Sequence, residues 1–153
     1  MKKRFLSLLL VLVLIMSLMP AALAVNADDA QPKTISVTFR LHTDTDEWIA
    51  PTEVSDLPEG TSVFTVFQKV LADKGYTYEY HEQYCYVQAI TAPDGTRLAE
   101  FSKGQNSGWL FRVNNDFADV GMNDFVLMDG DEIEVLYTAD YAKEPGMSLP
   151  YTD

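Results

Sequence analysis

Apolar residues at Ile35, Val37, Phe39 and Leu41 alternate with Ser36, Thr38, Arg40 and His42. A period of two puts one set on each face of an extended chain, so this stretch predicts a half-buried β-strand. Trp48-Ile49 and Thr52-Glu53-Val54 predict a second, short strand beyond an acidic turn at residues 44–47. Pro58-Glu59-Gly60 breaks the chain, and the period then changes. Val63, Val66, Phe67, Val70 and Leu71 recur at three- and four-residue spacing, the single apolar stripe of an α-helix. Thr61 or Ser62 supplies its N-cap. Lys74 falls in the last turn and Gly75 just past it, which marks the stop.

Beyond Gly75 the period of two returns. Tyr76, Tyr78 and Tyr80 alternate with Thr77, Glu79 and His81. Residues 84–90 read as the next strand, closed by the turn Pro93-Asp94-Gly95, and residues 98–101 pair back as a hairpin. After a polar loop at 103–107, residues 107–115 read as a strand with Trp109, Phe111 and Val113 on one face. Residues 124–127 and the turn Asp129-Gly130-Asp131 lead to a last strand carrying Ile133, Val135 and Tyr137. One main helix among several strands predicts an α+β fold, the helix packed on a mostly antiparallel or mixed sheet. The order is compatible with a β-grasp arrangement.

The first 24 residues stand apart from this pattern. Lys2, Lys3 and Arg4 precede an apolar run from Phe5 to Met19, and Ala22-Leu23-Ala24 fits the small-residue cleavage pattern of a secretory signal peptide. The cut falls after Ala24 or after Ala27. Residues 25–33 read as a flexible lead-in, 34–141 as the domain and 142–153 as a tail. Export to a secreted or cell-surface location follows from the leader.

Removing residues 1–24 takes away three of the 11 basic residues and none of the 23 acidic ones, leaving a net charge of −15. That charge argues against nucleic acid or anionic lipid as partners, and no membrane association is expected after cleavage. Cys85 is the only cysteine, so an internal disulfide and a multi-cysteine zinc site are excluded by count. A buried apolar role suits it better than a reactive one.

The sequence holds no His-Glu-x-x-His, no Gly-x-Ser-x-Gly and no phosphate loop. No nucleophile and base stand out together, so the expectation is not an enzyme. His42 and His81 lie on the polar sides of separate strands and read as exposed. Asp116, Asp119, Asp124, Asp129 and Asp131 crowd two loops, and Asp44, Asp46 and Glu47 a third. Their spacing is not that of an EF-hand; solvated turns explain them, so no metal ligand is named. Leu149-Pro150-Tyr151-Thr152 is like a sortase signal but lacks the following apolar segment and basic tail.

Several marks occur together in order. They are Gly60 with the helix from Val63 to Leu71, Gly75-Tyr76, and Tyr86-Val87-Gln88-Ala89-Ile90. Ser107-Gly108-Trp109, Val113-Asn114-Asn115, Gly121 with Asp124-Phe125, and Asp129-Gly130-Asp131-Glu132-Ile133 with Tyr137-Thr138 follow. In these the chain resembles the domain at the C-terminal end of transcobalamin and intrinsic factor, also found in many exported bacterial proteins (the DUF4430 group). The resemblance implies a β-grasp fold of the soluble-ligand-binding kind. In the vitamin carriers this domain closes over cobalamin against a separate helical domain. A corrinoid site here would therefore be half a site, completed by a partner. The family often has Val-Asn-Gly where this chain has Val113-Asn114-Asn115; Asn tolerates left-handed backbone, which the turn needs.

Candidate ligand-binding residues are Trp109 and Phe111 as an aromatic platform, and Asn114, Asn115, Asp116 and Phe117 as the turn beside it. Core packing is the competing role for Trp109, and turn formation explains both asparagines equally well. The reading is an exported, non-enzymatic binding module for a soluble ligand such as a corrinoid, or for an extracellular protein partner. An adhesion or protein-interaction module without a small ligand, and a calcium-binding surface domain, stay open.

Overall fold

The alternating segment forms strand β1, Thr34–Thr43, which buries Ile35, Val37, Phe39 and Leu41. The computed structural model describes residues 33–83 and 86–147. The expected leader (1–24), the lead-in up to residue 32, Tyr84, Cys85 and the Leu149-Pro150-Tyr151-Thr152 run lie outside the described residues. Strand β2, Glu47–Pro58, pairs antiparallel with β1 and is one continuous strand, not the short piece expected. It runs on through Pro51 because it is an edge strand, where a missing N–H leaves no ladder bond unmade. Its register with β1 shifts three times along the pairing.

Helix α1, Val63–Lys74, buries all five residues of the predicted stripe. Of the two candidate caps, Ser62 is the N-cap, its Oγ accepting from the Thr65 N–H at 3.3 Å. Thr61 instead donates its hydroxyl to the Pro58 carbonyl at 2.6 Å. The other early N–H groups of the helix also find acceptors. Val63 donates to the Phe125 carbonyl and Phe64 to the Met122 carbonyl, both at 3.0 Å. These bonds satisfy donors that a helix cannot satisfy itself and pin the irregular segment 118–127 to the start of α1. Gly75 ends the helix at φ 77°, the left-handed conformation that favours glycine.

Strands β3 (Thr77–His81), β4 (Tyr86–Thr91) and β5 (Arg97–Ala99) form an antiparallel three-stranded sheet in the order β3-β4-β5. The hairpin expected at 98–101 is thus realised one residue earlier. Strands β6 (Gly108–Val113), β7 (Asp116–Phe117) and β8 (Glu132–Thr138) complete a five-stranded sheet, β2-β1-β8-β6-β7. The β1–β8 pair is parallel and the remaining pairs are antiparallel, so this sheet is mixed. The described residues therefore form an α+β structure with one α-helix.

The helix stripe packs on the inner face of the main sheet, with the Phe67 and Phe39 rings 6.4 Å apart. Two aromatic residues tie the sheets together. Trp109 donates its Nε1–H to the Leu98 carbonyl at 3.0 Å, and Tyr137 donates its hydroxyl to the Ala99 carbonyl at 2.8 Å. Both acceptors lie on β5. Each ring is buried while its polar atom is satisfied, as burial of Trp and Tyr demands. Beyond β8, Asp140 caps a 3₁₀ turn, Tyr141–Lys143, and the Tyr141 N–H donates to the Asn106 carbonyl at 2.9 Å.

Candidate functional site

The β6–β7 hairpin is the tightest turn of the candidate region. Val113 pairs with Asp116, so Asn114 and Asn115 are its two central residues. Both have positive φ, 53° and 72°. Two left-handed residues in a two-residue hairpin define a type I′ turn, which asparagine and glycine tolerate. Asn115 therefore fits the turn without a glycine.

Asn114 is bonded on both sides of its amide. Its Nδ2 donates to Asp131 Oδ1 at 2.8 Å, and its Oδ1 accepts from the Glu132 N–H at 3.0 Å. Asp131 accepts in addition from the Met128 N–H at 2.8 Å. Asn114 thus joins the hairpin tip to the turn that starts β8. Asn115 is exposed and borders a charged groove of about 490 Å³. Asp116 is exposed; Phe117 is half-buried, with the Arg112 guanidinium 5.8 Å above its ring.

Trp109 is 7 % exposed and sits edge-on to Trp48 and Tyr137, with ring centres 5.6 and 5.1 Å away. Its principal setting is the core. Phe111 is half-buried and meets Phe125 edge-on at 6.3 Å. Phe111 and Phe117 line an open cleft of about 290 Å³ together with Leu110, Val120, Met122 and Met147, and Trp109 borders it. The structure thus gathers Trp109, Phe111 and Phe117 at one cleft and places Asn114 and Asn115 outside it. Val120, Met122 and Met147 were not foreseen. Met122 and Val120 belong to an irregular segment without periodicity, and Met147 lies in what reads as tail.

The charged groove has its own order. Glu134 on β8 accepts from three side chains: His42 Nε2 at 2.7 Å, Arg40 Nη1 at 3.3 Å, and Arg112 Nε. Arg40 also grips Glu47 with two bonds, at 2.7 and 3.0 Å. The row crosses strands β2, β1, β8 and β6. Burial pushes the Glu134 carboxyl up, but its bonds to Arg112 and His42 outweigh that and hold it below its ordinary range. His42 was expected to be exposed; it is half-buried, because Glu134 and the Thr43 carbonyl draw its ring against the sheet. His81 is also half-buried, its ring stacked on Tyr86 at 5.9 Å.

The acidic loops are largely internal braces. Asp129 Oδ1 accepts from the Ser36 N–H at 2.8 Å, and Asp44 Oδ2 from the Ala139 N–H at 3.0 Å. Among the described residues no three acidic, histidine or cysteine side chains gather closely enough to hold a metal ion.

The class defined by this geometry is a small α+β module with an apolar cleft at one sheet edge. The chain belongs to the family described as Domain of unknown function (DUF4430), whose model matches residues 60–139. That match starts at the Gly60 turn before α1 and ends after β8, leaving out the β1–β2 hairpin. No curated protein matches the chain. Among solved structures, haptocorrin in complex with Cbi is similar at a TM-score of 0.52 and 20 % identity over 69 % of this chain. The match spans 25 % of the haptocorrin chain. At that identity the likeness is one of fold. A protein from Ruminococcus gnavus ATCC 29149, provisionally assigned as metal binding, is 22 % identical over 69 % of this chain and 95 % of its own, with a TM-score of 0.43.

Proposed function

We propose that this protein is an exported, non-enzymatic module that binds a soluble ligand at the cleft beside β6 and β7. The observation that carries the reading is the aromatic and thioether lining of that cleft by Phe111, Phe117 and Met122, bordered by Trp109. Sites for small molecules are concave, mostly apolar and placed on a rigid frame, and here the frame is the main sheet. The hairpin β1–β2, the helix α1 and the parallel return of β8 beside β1 support the β-grasp assignment. The leader-like residues 1–24 support export to a secreted or cell-surface location, and no helix among the described residues is long and apolar enough to cross a membrane. The fold likeness to haptocorrin, solved with Cbi, makes a corrinoid the first ligand to test. A cleft this open would cover part of such a ligand, so a partner protein would enclose the rest.

The test is a titration of the protein lacking residues 1–24 with cobalamin and with cobinamide. Fluorescence of Trp109 and Trp48 is followed, with correction for absorption by the corrinoid. Saturable quenching that Phe111→Ala removes is the expected result. A flat response at high micromolar concentration eliminates the corrinoid version. A second reading, a protein-interaction or adhesion module, is favoured by the exposed side chains of Val126 and Met128 at 56 % and 74 %.

A further inference from the structure

We propose a second binding site, specific for a neutral saccharide, in the groove between α1 and β3. This groove has about 460 Å³ and is lined by Phe64, Gln68, Tyr78, Tyr80, Glu82 and Asn123. It shares no lining residue with the β6–β7 cleft. Its volume is that of a small-molecule site.

The wall is aromatic. Phe64 lies 4.4 Å from Tyr80 and 6.0 Å from Tyr78, ring centre to ring centre, and Tyr78 meets the buried Phe67 at 5.0 Å. All three wall residues are half-buried, and Phe64 stacks on Phe67 at 6.0 Å. The rim is amide. Gln68 Nε2 donates to the Tyr78 hydroxyl oxygen at 2.6 Å, and Asn123 Nδ2 donates to the Tyr80 hydroxyl oxygen at 3.2 Å. Each amide thereby keeps its carbonyl oxygen as an acceptor, and the Tyr78 hydroxyl keeps its proton as a donor.

These groups are held in place before any ligand arrives. Phe64 and Gln68 are four residues apart and share one face of α1. Tyr78 and Tyr80 are two apart and share one side of β3. Asn123 sits on the segment bonded to the helix start through the Phe64 N–H and the Met122 carbonyl. β3 is an edge strand of its sheet.

Aromatic wall and amide rim together select the ligand. A pyranose presents an apolar face of C–H groups and an equator of hydroxyls that both donate and accept. A purely apolar ligand would strip water from Gln68 and Asn123 without replacing those bonds, which is costly. An anionic ligand would approach a strongly acidic protein. A neutral sugar meets neither obstacle.

The probes are cellobiose, maltose and N,N′-diacetylchitobiose, each titrated to millimolar concentration into nitrogen-15-labelled protein lacking residues 1–24. At least one should give saturable shifts confined to the amides of residues 64–68, 77–82 and 123. Gln68→Ala and Asn123→Ala lie on exposed positions and should keep the spectrum of the folded protein. Each should weaken that binding about tenfold, the scale of one lost hydrogen bond. The proposal is overturned if all three sugars leave the spectrum unchanged, if the shifts centre elsewhere, or if binding survives both amide variants. The corrinoid titration reads a different cleft, so either result stands without the other.

Discussion

Glu134 concentrates more interaction than any other carboxylate described here. Its three side-chain partners come from β1 and β6, and none is a sequence neighbour. Neutralising it leaves Arg112 and His42, both largely covered, with a weaker acceptor. Glu134→Gln keeps one acceptor oxygen but loses the charge and sets an NH2 against a covered donor, so it should cost about 1–3 kcal/mol, measurable as a lower urea midpoint at neutral pH. The sign with pH follows from the depressed carboxyl. An unfolded chain takes up the proton near the ordinary value of 4.5, and the folded chain only below it. The stabilisation is thus complete above that value and is lost as pH falls through the lower, folded one. Urea midpoints of the parent should drop across that acid window more steeply than those of Glu134→Gln; superimposable slopes would refute the role. Asn115 allows a cleaner test of backbone. At φ 72° a β-branched residue is strained, so Asn115→Val should cost about 1–2 kcal/mol. Asn115→Gly should stay within about 0.5 kcal/mol of the parent.

At the scale of elements, α1 was the most legible. Val63, Val66, Phe67, Val70 and Leu71 specify one face, and Gly75 specifies its end, because both signals are local. Phe67→Ala should destabilise by about 3–5 kcal/mol, whereas Gln68→Ala, one residue on but facing solvent, should change the melting temperature little. β2 was under-read, since Pro51 and the turn-prone Ser55-Asp56 interrupt its alternation; Asp56 adopts φ 57° within the strand. The cleft was legible only in part. Alternation on β6 gave Trp109 and Phe111 their common face, but it carries no depth, and the structure buries the first more than the second. Met122 was out of reach because hydrogen bonds to Thr61, Val63 and Phe64 organise residues 122–127, and no periodicity records such bonds. The Glu134 row was invisible for the same reason: Arg40 and Glu134 are 94 residues apart.

For the whole molecule, charge and topology set the terms. Residues 33–147 carry 20 acidic and eight basic side chains, so self-repulsion outweighs the few ion pairs at the surface. Added sodium chloride should raise the thermal midpoint, and a fall instead would mean that the Glu134 row dominates. Amide exchange should be slowest in β1 and β8, which lie inside the five-stranded order, and fastest in β7 at the margin of that sheet and in β5 at the margin of the three-stranded one. The parallel seam between β1 and β8 has a further consequence. While the polypeptide is being made, β1 can zip to β2, but its other edge has nothing to hold until Glu132–Thr138 has been synthesised. The seam therefore stays open until Thr138 has been added, and β1 waits half-paired through the synthesis of everything between β2 and β8.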